Sequence, residues 1–251
     1  FGRLPDGTGA FQQLLFSATR GASNYLAELG TRLRISEFVV RSSTGPDWVE
    51  IENVSGTSMA LEGFSLGAET LGGTLLQWPF RADTQLAPGG RMLVYFGPLP
   101  VNFAPQLNSH SFPTPLHDEG AVLSLRDSRD RILDRIEYGS QLADRAVGRV
   151  NQQWALLSAP TPGQPNGPAA ALDSGSSLRL NEWLAGGGGT NDFVELFNPA
   201  ALPVSLERWV LTDDPSISGA TNNRLPSLTF IDAGGFVRFH TDGAPSSGPQ
   251  H

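Results

Sequence analysis

Two carboxylates stand where a strand should be apolar, and they open the question of chemistry. Glu37 follows Leu33 and Ile35 in alternation. Asp134 shares its phase with Ile132, Ile136 and Tyr138. Carboxylates on apolar faces are uncommon unless paired. Such a pair suits a metal site, an acid–base couple or an internal ion pair. Arg149 is the partner at hand for the last, because a guanidinium can bridge carboxylates in bidentate fashion. Glu37 recurs as Glu182 and Arg149 as Arg3. That recurrence favours the structural reading, in which Arg149 contacts Glu37 or Asp134.

Other chemistries find weaker footing. His117-Asp118-Glu119 is the one local run of ligand-type residues, and it lacks the helical His-Glu-x-x-His spacing of a zinc hydrolase. It reads as a surface loop. Asp213-Asp214 and Asp118-Glu119 could attract calcium, without the acidic ladder of an EF-hand. The four histidines are His110, His117, His240 and His251, and none lies near a Gly-x-Ser-x-Gly elbow. Gly186 to Gly189 has no Lys after it and reads as a hairpin loop joining Leu184 to Phe193. Trp48, Trp78 and Phe80 could bind sugars or peptides, but sandwich cores use the same residues. No cofactor, metal site or catalytic group is expected.

These residues must be carried by strands. Gly 29 and Pro 19 imply many turns. Leu33 and Ile35 are expected to point one way, Phe38 and Val40 the other. Met92 to Phe96 follows the Pro88-Gly89-Gly90 turn and reads as a nearly all-apolar, buried strand. Val122–Leu125 and Ile132–Ile136 flank a polar turn and read as a hairpin. Only Tyr25 to Leu29 hints at a helical turn. Thr161 to Ser177 lacks periodicity and reads as a linker.

The chain also contains itself at a fixed offset. Leu33-Arg34-Ile35-Ser36-Glu37-Phe38 returns 145 residues later as Leu178-Arg179-Leu180-Asn181-Glu182-Trp183. Asp47 to Asn53 returns as Asp192 to Asn198, and Gly89-Gly90 as Gly234-Gly235. A repeat this long is a domain in tandem, because solenoid units run only about 20–50 residues. Gly148-Arg149 and Trp154 echo Gly2-Arg3 and Phe11. The expected frame is therefore 1–24 as the end of one copy, 25–32 as linker, 33–166 as a complete copy, 167–177 as linker and 178–251 as the opening of a third copy. Both ends fall inside a copy, so the chain is expected to be part of a longer protein. Residues 1–24 are expected to dock on the incomplete C-terminal copy, by strand exchange, or to stay disordered.

The ordered motifs resemble the lamin tail domain family in its bacterial tandem form. They are Ile35-Ser36-Glu37, Trp48 to Asn53, Leu61 to Leu66, Trp78-Pro79-Phe80, Leu86 to Gly90, Leu123 to Asp127, Asp134 to Gly139, and Gly148-Arg149 to Asn166. The resemblance implies an all-β chain of tandem immunoglobulin-like β-sandwiches, one complete copy flanked by two partial ones. It also implies a module of a secreted or cell-surface bacterial protein. Where the family has Gly in a hairpin turn this chain has Arg129-Asp130, which leaves the turn type open.

Charge bounds the partners. The chain is 251 residues long with net charge −8, and all 17 basic residues are Arg. An acidic chain without a basic stripe is a poor binder of nucleic acid, whose phosphates supply most of the affinity. No apolar run approaches the roughly 18 residues of a membrane span. With no cysteine there is no disulfide or zinc–thiolate site. The expected role is adhesion, spacing or substrate attachment, with an unidentified protein or polysaccharide ligand. The alternative is an accessory region of a larger secreted enzyme whose catalytic domain lies outside this segment. A ligand should meet loops at one end of the sandwich, Arg41–Pro46 and Gly97–Pro115. Trp78, Phe103, Asn108, His110 and His117 are the candidate contact residues.

Overall fold

A computed structural model describes residues 1–4, 6–14, 29–70, 72–105, 109–186, 192–212 and 224–241. Two short strands come first, β1 (Gly2–Leu4) and β2 (Ala10–Gln12). The central copy supplies β3 (Leu33–Val39), β4 (Asp47–Asn53), β5 (Met59–Ala60), β6 (Ser65–Thr70), β7 (Leu75–Pro79) and β8 (Gln85–Leu86). It continues with β9 (Arg91–Phe96), β10 (His110–Phe112), β11 (Ala121–Arg126), β12 (Ile132–Tyr138), β13 (Ala146–Val150) and β14 (Gln153–Leu156). The C-terminal part supplies β15 (Arg179–Leu184), β16 (Phe193–Phe197), β17 (Val204–Ser205), β18 (Phe230–Ile231) and β19 (Phe236–His240).

The central copy is an immunoglobulin-like sandwich. A six-stranded sheet ordered β10-β9-β4-β3-β13-β14 packs on a four-stranded sheet ordered β12-β11-β6-β7. Ile35, Phe38, Val49 and Val94 from the first sheet meet Leu66, Leu123, Leu125 and Tyr138 from the second. A second cluster covers the outer face of the larger sheet, with Trp48, Leu93, Tyr95 and Leu157 at its centre. β9 is therefore buried on both faces, which is why its sequence is apolar at five successive positions. The hairpin of β11 and β12 turns through Asp130, whose φ of 60° is the left-handed conformation that Gly adopts elsewhere.

One expectation fails for a local reason. Leu33, Ile35, Phe38 and Val40 all line the same core rather than opposite faces. The pairing of β3 with β4 shifts register between Ile35 and Glu37, so one extra residue enters the strand. Such a bulge reverses the alternation beyond it. Glu37 is thereby taken off the face of Leu33 and Ile35.

The C-terminal part rebuilds half of this plan. Its sheet order β15-β16-β19 copies β3-β4-β9, and its β17-β18 pair copies β5-β8. A small core of Val204, Leu206, Ile231, Val237 and Phe239 closes it. The bulge returns as well, between Leu180 and Glu182. So does a buried amide: Asn53 donates through Nδ2 to the carbonyls of Thr57, Leu86 and Ala87, at 2.8, 2.8 and 3.1 Å. Asn198 donates to Leu202 and Asp232, each at 2.9 Å and each 145 residues beyond a counterpart.

The linker reading of Thr161–Ser177 is also corrected. Ala170 donates its N–H to Leu156, and Ser158 donates to Pro168, so the chain continues as a bridge along β14. The two copies then dock. Phe230 donates its N–H to Ser140 at 3.0 Å, Gly139 donates to Ser227 at 3.2 Å, and the Gln141 amide donates to Leu228 at 2.6 Å. Leu228 and Phe230 are buried within the central copy's core. At the other end β1 and β2 pair with each other as a two-stranded sheet. Residues 15–24, and Tyr25 to Ala27 with Glu28 of the expected helical turn, lie outside the described residues.

Candidate functional site

The bulge in β3 organises the charged groups. It releases the backbone of Ile35 from its strand neighbours, and side chains take it up. Asp134 on β12 accepts the Ile35 N–H at 2.8 Å through Oδ2. Arg149 on β13 donates through Nε to the Ile35 carbonyl at 2.9 Å. The same guanidinium meets both Asp134 oxygens, at 3.0 and 2.9 Å. Its plane lies over Trp154, 4.5 Å from the ring centroid. Burial pushes the Asp134 carboxyl above its ordinary value, although Arg149 and the Ile35 N–H pull the other way. The ion pair thus joins the two sheets at the weakest point of a strand.

Glu37 is not part of that pair. Beyond the bulge it faces outward, opposite Glu50, under the segment that follows β14. It accepts the Thr161 N–H at 2.8 Å and the Thr161 hydroxyl at 2.6 Å. Burial raises its pKa, the Thr161 bonds lower it, and the Glu50 charge adds a further rise. Glu50 accepts from Ser36 Oγ at 2.6 Å, Arg91 at 2.5 Å and the Gly163 N–H at 2.7 Å. Arg91 also reaches Glu52 at 2.6 Å. Two facing carboxylates would ordinarily suggest general acid–base work. Here both are wholly buried and each oxygen already holds a donor. The arrangement fastens residues 161–163 to the sheet. In the C-terminal copy Phe197 and Phe236 take the places of Glu52 and Arg91, stacked with centroids 4.7 Å apart.

The expected contact surface comes apart. Trp78 is buried edge-on against Phe96, with centroids 4.7 Å apart, so it belongs to the core. His110 is buried too, and its Nε2 accepts the Arg81 N–H at 3.1 Å. Phe103 is half-buried on Tyr95. Asn108 lies outside the described residues, as do Asp213-Asp214, His251 and Gly187 to Gly189. His117 is exposed, and its carbonyl accepts the Tyr138 hydroxyl at 2.9 Å. Asp118 meets Arg41 at 3.5 Å in a cleft of about 250 Å³ between the two copies, which Arg238 also lines. Its lining mixes both charges. The loop after β9 presents Leu99 and a fully exposed Val101 beside Phe103. The loop before β4 is pinned by Asp47, which accepts the Ser42 N–H, and by Asp144, which accepts from Ser43. Among the described residues no three acidic or histidine side chains converge as metal ligands, and no helix is long and apolar enough to cross a membrane.

Sequence reasoning missed the junction and the asparagine staples. The staples did leave a signal, since Asn53, Gly89 and Gly90 all recur at the repeat offset. Gly89 and Gly234 both adopt positive φ, at 68° and 62°. The junction left a subtler one. Leu228 and Phe230 stand where the central copy has Asp83 and Gln85. Apolar residues at positions that are polar in the sister copy mark a contact that the sister copy does not make.

No curated protein matches the chain. Residues 28–140 match the family model described as Lamin Tail Domain, which spans β3 to β12 of the sandwich just described, and the central copy belongs to that family.

Proposed function

We propose that this chain is a non-catalytic segment of a tandem array in a secreted or cell-surface bacterial protein. It sets the spacing between modules and offers a surface for adhesion or substrate attachment. The docked junction carries this reading. Domains joined by a loose linker move independently by default. Here three hydrogen bonds and two inserted apolar side chains, Leu228 and Phe230, tie one copy to the next. That is what a spacer of fixed pitch needs. The exposed Leu99 and Val101 mark the contact surface for a protein or polysaccharide ligand, because loops vary freely on a rigid scaffold.

The chain has no cysteine, so spin labels can be placed at Val101→Cys and Arg179→Cys, both exposed. A single narrow distance distribution is the expected result. A broad one overturns the spacer role. An antibody to the chain should label intact source cells, and labelling only after lysis would remove the surface location.

A further inference from the structure

We propose that His110 is an acid-sensitive latch, and that its protonation releases β10 and Phe112 from the edge of the larger sheet. β10 has only 3 residues and lies parallel to β9 at the end of the sheet. His110 stands opposite Val94 and Phe112 opposite Phe96, so both side chains share the core face. A strand this short holds its edge weakly, and His110 ties it to the second sheet. His110 is 4% exposed. Its Nε2 accepts the Arg81 N–H at 3.1 Å, from the turn that follows β7. The buried Thr84 hydroxyl lies 3.2 Å from the same nitrogen. The Phe80 ring meets the imidazole edge-on, with centroids 5.3 Å apart. Two residues on, Phe112 packs on Trp78 and Phe96, each with its centroid 5.9 Å away.

A backbone N–H can only donate, so Nε2 holds no proton while the strand is docked. Protonation there would set one N–H against another and leave a cation among apolar rings. The turn that faces His110 carries Arg81, whose guanidinium donates to the Ser109 carbonyl at 3.2 Å, and Asp83. Glu62 follows Leu61, whose N–H meets the Thr84 carbonyl at 2.9 Å, and is exposed. On β9, Arg91 is engaged by Glu50 and Glu52, and Tyr95 lies on the outer face with Phe103. β7 holds no titratable side chain, and the segment 97–116 holds none but His110. Once released, the imidazole titrates near its ordinary value of about 6.5. The released strand then binds a proton that the docked strand refuses. Docking is therefore complete above that value and is lost as pH falls below it. Burial raises the carboxyls of Glu37, Asp47 and Asp134, which act with the opposite sign and favour the folded state in acid. The latch is independent of the spacer role.

Hydrogen exchange of the full chain tests it, read by mass spectrometry on peptides covering 109–116 and corrected for the intrinsic pH dependence of exchange. Between about pH 7.5 and pH 5.5 the protection of β10 should fall about tenfold, the ratio given by one group that titrates near 6.5 only when released. β3, β4 and β11 should keep their protection. His110→Gln offers Oε1 to the Arg81 N–H and cannot become charged, so protection of its β10 should not change with pH. Wild-type β10 that stays equally protected at the lower pH overturns the proposal, and so does an equal fall in His110→Gln. Where that variant does not fold, the wild-type profile decides alone. A fall confined to β10 supports the latch, and a fall shared by β3, β4 and β11 overturns it.

Discussion

Replacing Arg149 by Met tests the bulge staple most directly. The substitution keeps an apolar stem over Trp154 and removes the charge. Asp134 is left 2% exposed with its two backbone donors and no cation. It must then stay ionised and unpaired, or take a proton. Protonation sets a ceiling on the electrostatic cost. From an ordinary carboxyl value of 3.8, binding a proton at pH 7 costs at most about 4 kcal/mol, at 1.36 kcal/mol per unit. At pH 5 the same ceiling is only about 1.5 kcal/mol. Losing the bond to the Ile35 carbonyl and the contact with Trp154 adds about 1–2 kcal/mol at either pH. The resulting ceiling at pH 7, about 5–6 kcal/mol, lies just above the roughly 3–5 kcal/mol expected when one partner of a buried pair is removed.

The sign follows from linkage. Burial already raises the Asp134 carboxyl in the folded protein, and loss of Arg149 raises it further. A carboxyl whose folded value lies above its unfolded value costs stability as pH rises through that interval. The deficit of Arg149→Met should thus be small in acid and grow toward neutrality. Urea unfolding of wild type and variant at pH 5 and pH 7 measures it. Adding Asp134→Asn to the variant should recover stability at pH 7, because the unpaired charge is gone. Equal deficits at the two pH values, or no recovery in the double variant, would refute the reasoning.

Four further substitutions probe other parts of the molecule. A Cβ at Gly139 would overlap the Thr229 hydroxyl, so Gly139→Ala should cost about 1–3 kcal/mol and split a joint calorimetric transition into two; one unchanged transition would count against the docked junction. Asn53→Ala and Asn198→Ala each strand backbone carbonyls and should cost about 2–4 kcal/mol in denaturant titrations, and a loss below about 0.5 kcal/mol, the range of ordinary surface changes, would deny the staple. Burial pushes the Asp127 carboxyl up, but bonds from the Arg131 side chain and the Arg131 and Arg129 N–H groups outweigh it and hold the pKa low. Its contribution is present above the ordinary 3.8 and lost as pH falls through the lowered value. Asp127→Asn should therefore be less stable than wild type at pH 6 by thermal melting, with the gap closing in acid; a gap that widens in acid contradicts the sign.

Much of the fold was legible because strands carry their burial in an alternation of period two. The hairpin of β11 and β12 and the buried β9 could be read from apolar spacing alone. The alternation failed at one residue. The bulge after Ile35 adds a residue that composition does not mark, and it sends Glu37 to the opposite face from the one its phase predicts. Both consequences follow from that single insertion: Asp134 alone receives Arg149, and Glu37 receives Thr161. A reading that assumes an unbroken strand must mispair these groups, however well it identifies them as charged residues in need of partners.

The segment after β14 was illegible for a different reason. Thr161, Gly163 and Asn166 hold the chain through backbone N–H groups, one hydroxyl and one amide aimed at buried acceptors. Such anchoring needs no apolar period, so the segment looks like a linker. Yet the buried Glu37 and Glu50 both take donors from this segment. The carboxylates that invite a catalytic reading and the stretch that invites a linker reading are two halves of one contact. Each explains the anomaly of the other: buried acids require donors, and an aperiodic segment supplies them. The same reasoning separates staple from active site elsewhere, because a catalytic carboxylate must keep an oxygen open to substrate, and these keep none.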